Sequence, residues 1–256
     1  MGKIIAIASQ KGGVSKTTTA INVCGGLAHF NKRVLLVDMD PSGNASRGFG
    51  IDIALVETSV FDVLSKNVNI KNAIIKTKIP NIDLLPSKFS LSSIEELRDN
   101  KEGEYLLLKE HIMEIKDQYD FVIIDCPPSL GFLTCNCLAA SDSVIIPFQC
   151  ESFAFESIRQ MLGLLSNIQN EANKDLEIEG FLITMFDKKN SVNIEISTQI
   201  RTLFRENMFL SQIPRNNSIV ESISLGMPVT SYRPNSIGAQ AFISLAREII
   251  DKNRQN

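Results

Sequence analysis

The sequence predicts an α/β fold: a single domain over residues 1–256, built on a mostly parallel, twisted β-sheet with helices on both faces. Three observations carry this. Short apolar runs recur along the chain with helical patterns between them, the signature of strands joined by crossover helices. The first run leads directly into a glycine-containing loop and then a helix. Two later runs deliver an aspartate at or just beyond their carboxyl ends, where sheets of this kind bind ligands.

Taken in order, Ile4-Ile5-Ala6-Ile7-Ala8 is apolar at every residue, as a strand buried on both faces must be, and Thr17 to Ala28 has a helical pattern. Further strands are expected at Val34 to Val37, Ile82 to Leu85, Phe121 to Ile124, Val144 to Ile146 and Phe181 to Thr184. At 256 residues and 44% hydrophobic content, the chain can bury one large core. Its 26 basic and 29 acidic residues leave a formal charge of −3, which excludes a global positive field, so any nucleic-acid binding requires a local patch. No stretch approaches the ~20 apolar residues of a membrane span, and the N-terminus lacks a secretory signal pattern. A cytoplasmic protein without stable membrane insertion is expected. Cys24, Cys126, Cys135, Cys137 and Cys150 are expected as small buried apolar residues. Cys135 and Cys137 lack a second pair and lie far in sequence from His29 and His111, so no zinc site is expected.

The loop Ser9 to Thr18, SQKGGVSKTT, follows the first strand. Gly12 and Gly13 permit a tight turn in which backbone N–H groups and the helix N-terminus face anionic oxygens. In such a phosphate-binding loop Lys16 reaches the terminal phosphates and the Thr17 hydroxyl sits on Mg²⁺. The ordinary pattern G-x-x-x-x-G-K-[ST] fails at Gln10 and Ser15, whereas K-G-G-x-x-K-[ST] fits. A Ser15 in left-handed conformation would cost ~1–2 kcal/mol; a right-handed one would be tolerated. Two acidic motifs complete the picture. Phe121 to Gly131, FVIIDCPPSLG, places Asp125 at a strand end in a Walker B arrangement that holds Mg²⁺ or a metal-bound water, with Pro127-Pro128 stopping the strand. The segment Asp38-Met39-Asp40-Pro41-Ser42-Gly43 sets two carboxylates at another strand end.

The K-G-G-x-x-K-[ST] loop resembles the deviant P-loop of the ParA/MinD ATPases, and the resemblance runs through Asp142 to Pro147, Thr184 to Lys188, Gly226 to Val229 and the last helix, looking most like the short chromosomal partition ATPases of Soj type. It implies ATP and Mg²⁺ as cofactors, with nucleotide held by Lys11, Gly12, Gly13, Val14, Ser15, Lys16, Thr17 and Thr18. It implies that Met185, Pro214 and Asn216 lie around the adenine, with Gln212 to Asn216 as the base-contacting loop. Metal ligation would fall to Thr17, Asp38 and Asp125, and catalysis to Lys11, Lys16 and Asp40, with Asp40 orienting the attacking water. Lys11 would cross into a second protomer's site, making an ATP-dependent homodimer, and hydrolysis would be stimulated by a ParB-like partner. Relatives usually carry Gln at the position of Ser42 and Gly at that of Ser15. No helix-turn-helix domain is expected ahead of the first strand.

Partition ATPases of the type this chain resembles also bind DNA non-specifically as dimers. The corresponding cations here are Lys188, Lys189, Arg201, Arg205 and Arg215, with Arg233 and Arg247 in the same half, and a spacing of four would put Arg201 and Arg205 on one helical face. Residues 160–256 carry ten basic and ten acidic residues, so that half is neutral. Relatives often have arginine where Lys189 and Ser218 stand, and Ser218 is a lost charge, so weak, salt-sensitive binding is expected. Rival readings are a MinD-like membrane switch, a redox relative with cysteines at a dimer seam, and a positioner of non-DNA cargo. The apolar spacing of Phe242, Ile243, Leu245, Ala246, Ile249 and Ile250 favours packing over membrane binding, and Cys126 reads as strand-end packing.

Overall fold

A computed structural model describes residues 2–66, 68–94 and 105–254. Eight strands form one sheet: β1 Lys3–Ile7, β2 Val34–Asp38, β3 Ile75–Lys76, β4 Ile82–Leu85, β5 Phe121–Asp125, β6 Ser143–Gln149, β7 Glu177–Phe186 and β8 Met208–Pro214. Their order is β3-β4-β2-β5-β1-β6-β7-β8, with every pairing parallel except β3 with β4. The six strands expected from apolar runs are all present. β1 ends one residue before Ala8, and the others are as long as expected or longer.

Strand alternation splits the core into two layers. From β1, Ile4 and Ala6 face one side with Leu133, Leu138, Ile158, Met161 and Leu165, which come from the helices Phe132–Ala140 and Ala154–Glu171. Ile5 and Ile7 face the other with Ile21, Cys24 and Leu27 of the helix Lys16–His29 and Phe242, Leu245 and Ile249 of the helix Ile237–Lys252. All five cysteines are buried and none is in a disulfide. Among the described residues, no helix is long and apolar enough to cross a membrane.

Two strands escape the sequence pattern. β3 is two residues long, too short to register as a run. β8 covers Gln212 to Pro214, where the residues alone suggest a turn; it pairs with β7 through two register shifts and exposes Leu210, so no clean alternation marks it. Proline within β6 is tolerated for a topological reason. Pairing of β6 with β1 stops at Ile145, so the N–H that Pro147 lacks is not missed by that ladder.

The helix after the glycine loop packs unusually close to the last helix. A Cβ added at Gly26 would lie 2.7 Å from the Phe242 carbonyl oxygen and 2.8 Å from the Ala246 Cβ. Nearby, buried Asn22 donates to the Thr18 carbonyl (2.8 Å) and accepts from the Val229 N–H (2.8 Å), tying the first turn of this helix to a segment 207 residues away. We expect Gly26→Val to lower stability by about 1–3 kcal/mol through overpacking, measured by urea denaturation; an unchanged midpoint would disprove the close approach.

Candidate functional site

The carboxyl ends of β1, β2, β5, β6 and β7 meet at one edge of the sheet, and the loop Ser9 to Ser15 wraps over it. Gly13 has φ 78°, and a Cβ at Gly12 or Gly13 would meet nothing within 4 Å, so the loop leaves an open cradle. Ser15 also sits in the left-handed region, at φ 69° and ψ 33°, immediately before helix Lys16–His29, and its side chain makes no capping hydrogen bond. This is the costly one of the two conformations considered for it, and the one a glycine would adopt freely.

Two side chains from neighbouring strands hold the loop from below. Gln149, the last residue of β6, donates from Nε2 to the Gly13 carbonyl at 2.8 Å. Thr184 of β7 lies with its hydroxyl 3.1 Å from the Val14 carbonyl and 3.0 Å from that of Phe148. Gln149 belongs to no recognisable motif, and Thr184, though it opens a segment that carries the family resemblance, shows from its own residue type only a polar side chain in an apolar strand.

Beneath the loop lie the acids. The strand register sets Asp38 of β2 directly beside Asp125 of β5, and both are fully buried. Asp38 is engaged: Oδ1 accepts from the Asp40 N–H at 3.2 Å, and Oδ2 from the Ser46 N–H at 2.8 Å and the Ser46 hydroxyl at 2.7 Å. Burial pushes its pKa up to about 6, and the Asp40 charge adds to this, while the bonds from Ser46 and Asp40 N–H pull it down. Asp125 is the opposite case. Neither of its oxygens has a well-formed hydrogen-bond partner. Burial, and then the Asp38 carboxylate, hold its pKa well above the usual carboxylate range, against the counter-pull of the Thr17 hydroxyl and Lys16. Lys16 is 7% exposed, and burial lowers its pKa, opposed chiefly by Asp125.

Such an orphaned buried carboxylate, beside a hydroxyl and a buried ammonium, suits a small divalent cation better than any arrangement of the free protein. Among the described residues no three His, Cys, Asp or Glu side chains converge as a metal cage. Mg²⁺ takes one or two protein ligands and completes its octahedron with phosphate oxygens and water.

Two cavities share the loop. One of about 370 Å³ is lined by Gly12, Gly13, Lys16, Thr17, Asp40 and Pro128, among others. A more apolar one of about 440 Å³ is lined by Met185, Ile213, Pro214, Asn216 and Val220, and Ser15, Thr18 and Met185 border both. The structure therefore brings Met185, Pro214 and Asn216 to the loop. Asn216 also caps the helix Asn217–Ser224, its Oδ1 accepting from the Ser218 N–H at 3.1 Å. Asp40 forms a turn, accepting from the Ser42 N–H at 2.8 Å. Lys11 does not line its own phosphate cavity; its Nζ donates to Glu151 Oε2 at 3.0 Å, on the rim.

The cations considered for DNA disperse. Arg201 donates to the Phe209 carbonyl at 3.1 Å, and Arg215 lies 3.8 Å from Glu151 beside the more apolar cavity. Arg233 pairs with Glu221 at 3.2 Å, and Arg247 stacks over Phe30 at 4.5 Å. The helix ends at Leu203 and Arg205 opens a separate 3₁₀ turn, so Arg201 and Arg205 do not share a helical face as their spacing suggests. Lys188, Lys189 and Arg205 are exposed. Ser218 is buried.

The glycine loop, the helix N-terminus and Asp125 converge because β5 pairs with β1, and with this loop and sheet the chain is a P-loop NTPase. Comparison with known proteins narrows the class. The AAA domain family matches residues 2–178. The chain is 45% identical to the sporulation initiation inhibitor protein Soj of Bacillus subtilis, over 97% of this chain and 98% of that one. It is 40% identical to the chromosome partitioning protein ParA of Caulobacter vibrioides, over 98% and 95%. The crystal structure of cobyrinic acid a,c-diamide synthase from Mycobacterium smegmatis with bound ADP and magnesium is similar at TM-score 0.83 and 32% identity, covering 99% and 96% of the two chains. The chain belongs to the ParA/MinD superfamily of P-loop ATPases, on its Soj/ParA side.

Two substitutions probe the loop. Thr184→Val removes the hydroxyl beside the Val14 carbonyl and should weaken nucleotide binding about five- to tenfold, corresponding to the ~1–1.5 kcal/mol of one hydrogen bond, as read by calorimetric titration. Ser15→Gly should retain binding and stabilise the fold by up to about 1 kcal/mol, since relief of the left-handed strain outweighs the added chain entropy. A loss of stability in Ser15→Gly would contradict the backbone conformation.

Proposed function

We propose that this chain is a partition ATPase that couples ATP binding to formation of a sandwich homodimer and uses hydrolysis, stimulated by a ParB-like partner, to reset it. The observation that carries the ATP half is Asp125, buried and unpartnered under Lys16 and Thr17. Thr17 and Asp125 would hold Mg²⁺, with Asp38 behind Asp125 adding negative charge, and the ion's contribution is to neutralise charge on the phosphate oxygens. Gly12 to Thr18 would bind the phosphates, and Met185, Pro214 and Asn216 the base. Lys16 stabilises charge on the transferred phosphoryl group, and Asp40 positions the attacking water.

The dimer half rests on Lys11, a cation outside its own phosphate cavity and about one-third exposed. In two protomers facing each other, it would serve the partner's nucleotide. The ATP dimer would bind DNA without sequence preference through Lys188, Lys189 and Arg205, and the protein would be cytoplasmic and nucleoid-associated while ATP-bound. Because four of the seven cations considered are engaged within the protomer, the competing reading is a switch that positions cargo other than DNA.

Sedimentation and nucleotide titration test the cycle. Lys16→Ala should abolish nucleotide binding, Lys11→Ala should bind ATP and stay monomeric, and Asp40→Ala should accumulate as an ATP dimer with little turnover. A Lys11→Ala protein that still dimerises on ATP would sink the bridging role. With Lys188, Lys189 and Arg205 as the exposed cations of this set not engaged within the protomer, a dimer contacts roughly six phosphates, so log affinity should fall with log salt at a slope of about −5. Absence of ATP-dependent gel shift at ~50 mM salt would remove DNA and leave the cargo reading.

A further inference from the structure

Glu151 stands at the rim of the nucleotide site between its two basic ends. It follows β6 by two residues in a tight turn, where the Glu151 N–H donates to the Gln149 carbonyl at 2.9 Å and the Ala154 N–H to the Glu151 carbonyl at 3.1 Å. The carboxylate is divided between two cations: Oε2 accepts from Lys11 at 3.0 Å, and Oε1 lies 3.8 Å from Arg215 Nη2. Lys11 belongs to the phosphate loop and Arg215 to the segment lining the base cavity, so one acid joins both halves of the site. The two contacts are unequal, one a formed hydrogen bond and the other an ion pair with slack. The three side chains are 34%, 44% and 65% exposed for Lys11, Glu151 and Arg215, which makes the network easy to break. The turn is also strained: Phe153 has φ 72°, a conformation bulky side chains avoid, and it is 75% exposed.

We propose that Glu151 is a positioning residue that latches Lys11 inside its own protomer, and that Arg215 is the competing cation that frees Lys11 when nucleotide fills the base cavity. Two cations on one carboxylate repel each other and share a single negative charge, so drawing Arg215 in loosens the hold on Lys11. The 3.8 Å separation leaves room for that closure. Lys11 is thereby withheld from a second copy of the chain until its own site is filled. The proposal rests on the reading of Lys11 as a residue that serves a partner protomer.

The latch is read first without nucleotide, as the rate at which a water-soluble amine-reactive ester labels Lys11, followed by peptide mass spectrometry. Glu151→Gln should raise that rate at least about twofold, and Glu151→Ala should do the same. Sedimentation in ATP reads the coupling. Glu151→Gln should lower the ATP concentration at the dimerisation midpoint by about three- to fivefold, within the range of one partly exposed ion pair. Arg215→Gln should raise it, and the double variant should match Glu151→Gln alone. An Arg215→Gln effect that persists in the Glu151→Gln background would assign Arg215 to the base and overturn the coupling. Unchanged Lys11 labelling in Glu151→Gln overturns the latch, and loss of dimerisation in that variant overturns its sign by placing Glu151 in the partner contact. A wild-type protein that stays monomeric in ATP, with labelling still raised by Glu151→Gln, would defeat the dimer reading while supporting the latch.

Discussion

Two carboxylates are buried side by side at the ends of β2 and β5, and the surrounding structure is arranged around the cost of keeping them there. Parallel pairing in strict register puts Asp38 against Asp125, both fully buried away from bulk solvent. A pair of acids in that position either shares protons or recruits positive charge. The chain meets the cost on one side only. Ser46 and the Asp40 N–H satisfy Asp38, and Ser46 in turn accepts from the Ser87 N–H at 3.2 Å, which connects the loop after β2 to the segment after β4. Asp125 has no such support; what opposes the effect of its burial is the Thr17 hydroxyl first and the buried Lys16 ammonium after it. A site with an unsatisfied acid below and an open cradle of backbone above is complementary to a metal-bound polyphosphate.

The cradle depends on two strands outside the phosphate loop and the acidic motifs. Gln149 and Thr184 hold successive carbonyls of the loop from β6 and β7, so the loop's shape depends on the sheet extending past β1 on that side. Ser15 held at φ 69° shows that this support overrides local preference. Met185, with φ 51°, and Gln149 also touch, at 3.1 Å between Nε2 and Sδ, where the two cavities meet. The glycine loop and the more apolar cavity are therefore parts of one hydrogen-bonded unit, and Glu151 adds an electrostatic connection at its rim.

The two lysines of the glycine loop are held differently. Lys16 is buried, whereas Lys11 sits outside the cavity over Gly12 and Gly13 in a contact that water can reach. Most arginines of the C-terminal half are engaged in capping a strand carbonyl, pairing with an acid or stacking on a ring, which leaves Lys188, Lys189 and Arg205 as the unengaged ones among the cations set against DNA. Surface charge counted along the chain overstates what is available to a polyanion, because the count cannot separate a guanidinium bonded to a carbonyl from one in solvent.

From sequence alone the class of fold, the six principal strands, the phosphate loop and both acidic strand ends were legible, because each rests on local chemistry: apolar runs, glycines that turn, and acids where strands end. The family resemblance supplied Met185, Pro214 and Asn216; the last two belong to a segment that as residues reads as an unremarkable turn, and Met185 lies near the end of an ordinary apolar strand. Contacts far apart along the chain decided the rest. β8 was hidden by irregular pairing, and the shared helical face of Arg201 and Arg205 failed because the helix stops at Leu203, before the second arginine. Gln149, Thr184 and Glu151 act on a loop roughly 140 to 170 residues earlier, a distance no local pattern encodes. Likewise only the register of β2 against β5 could show that Asp38 is engaged and Asp125 is not, since the two acids look alike in sequence and differ in what the folded chain sets beside them.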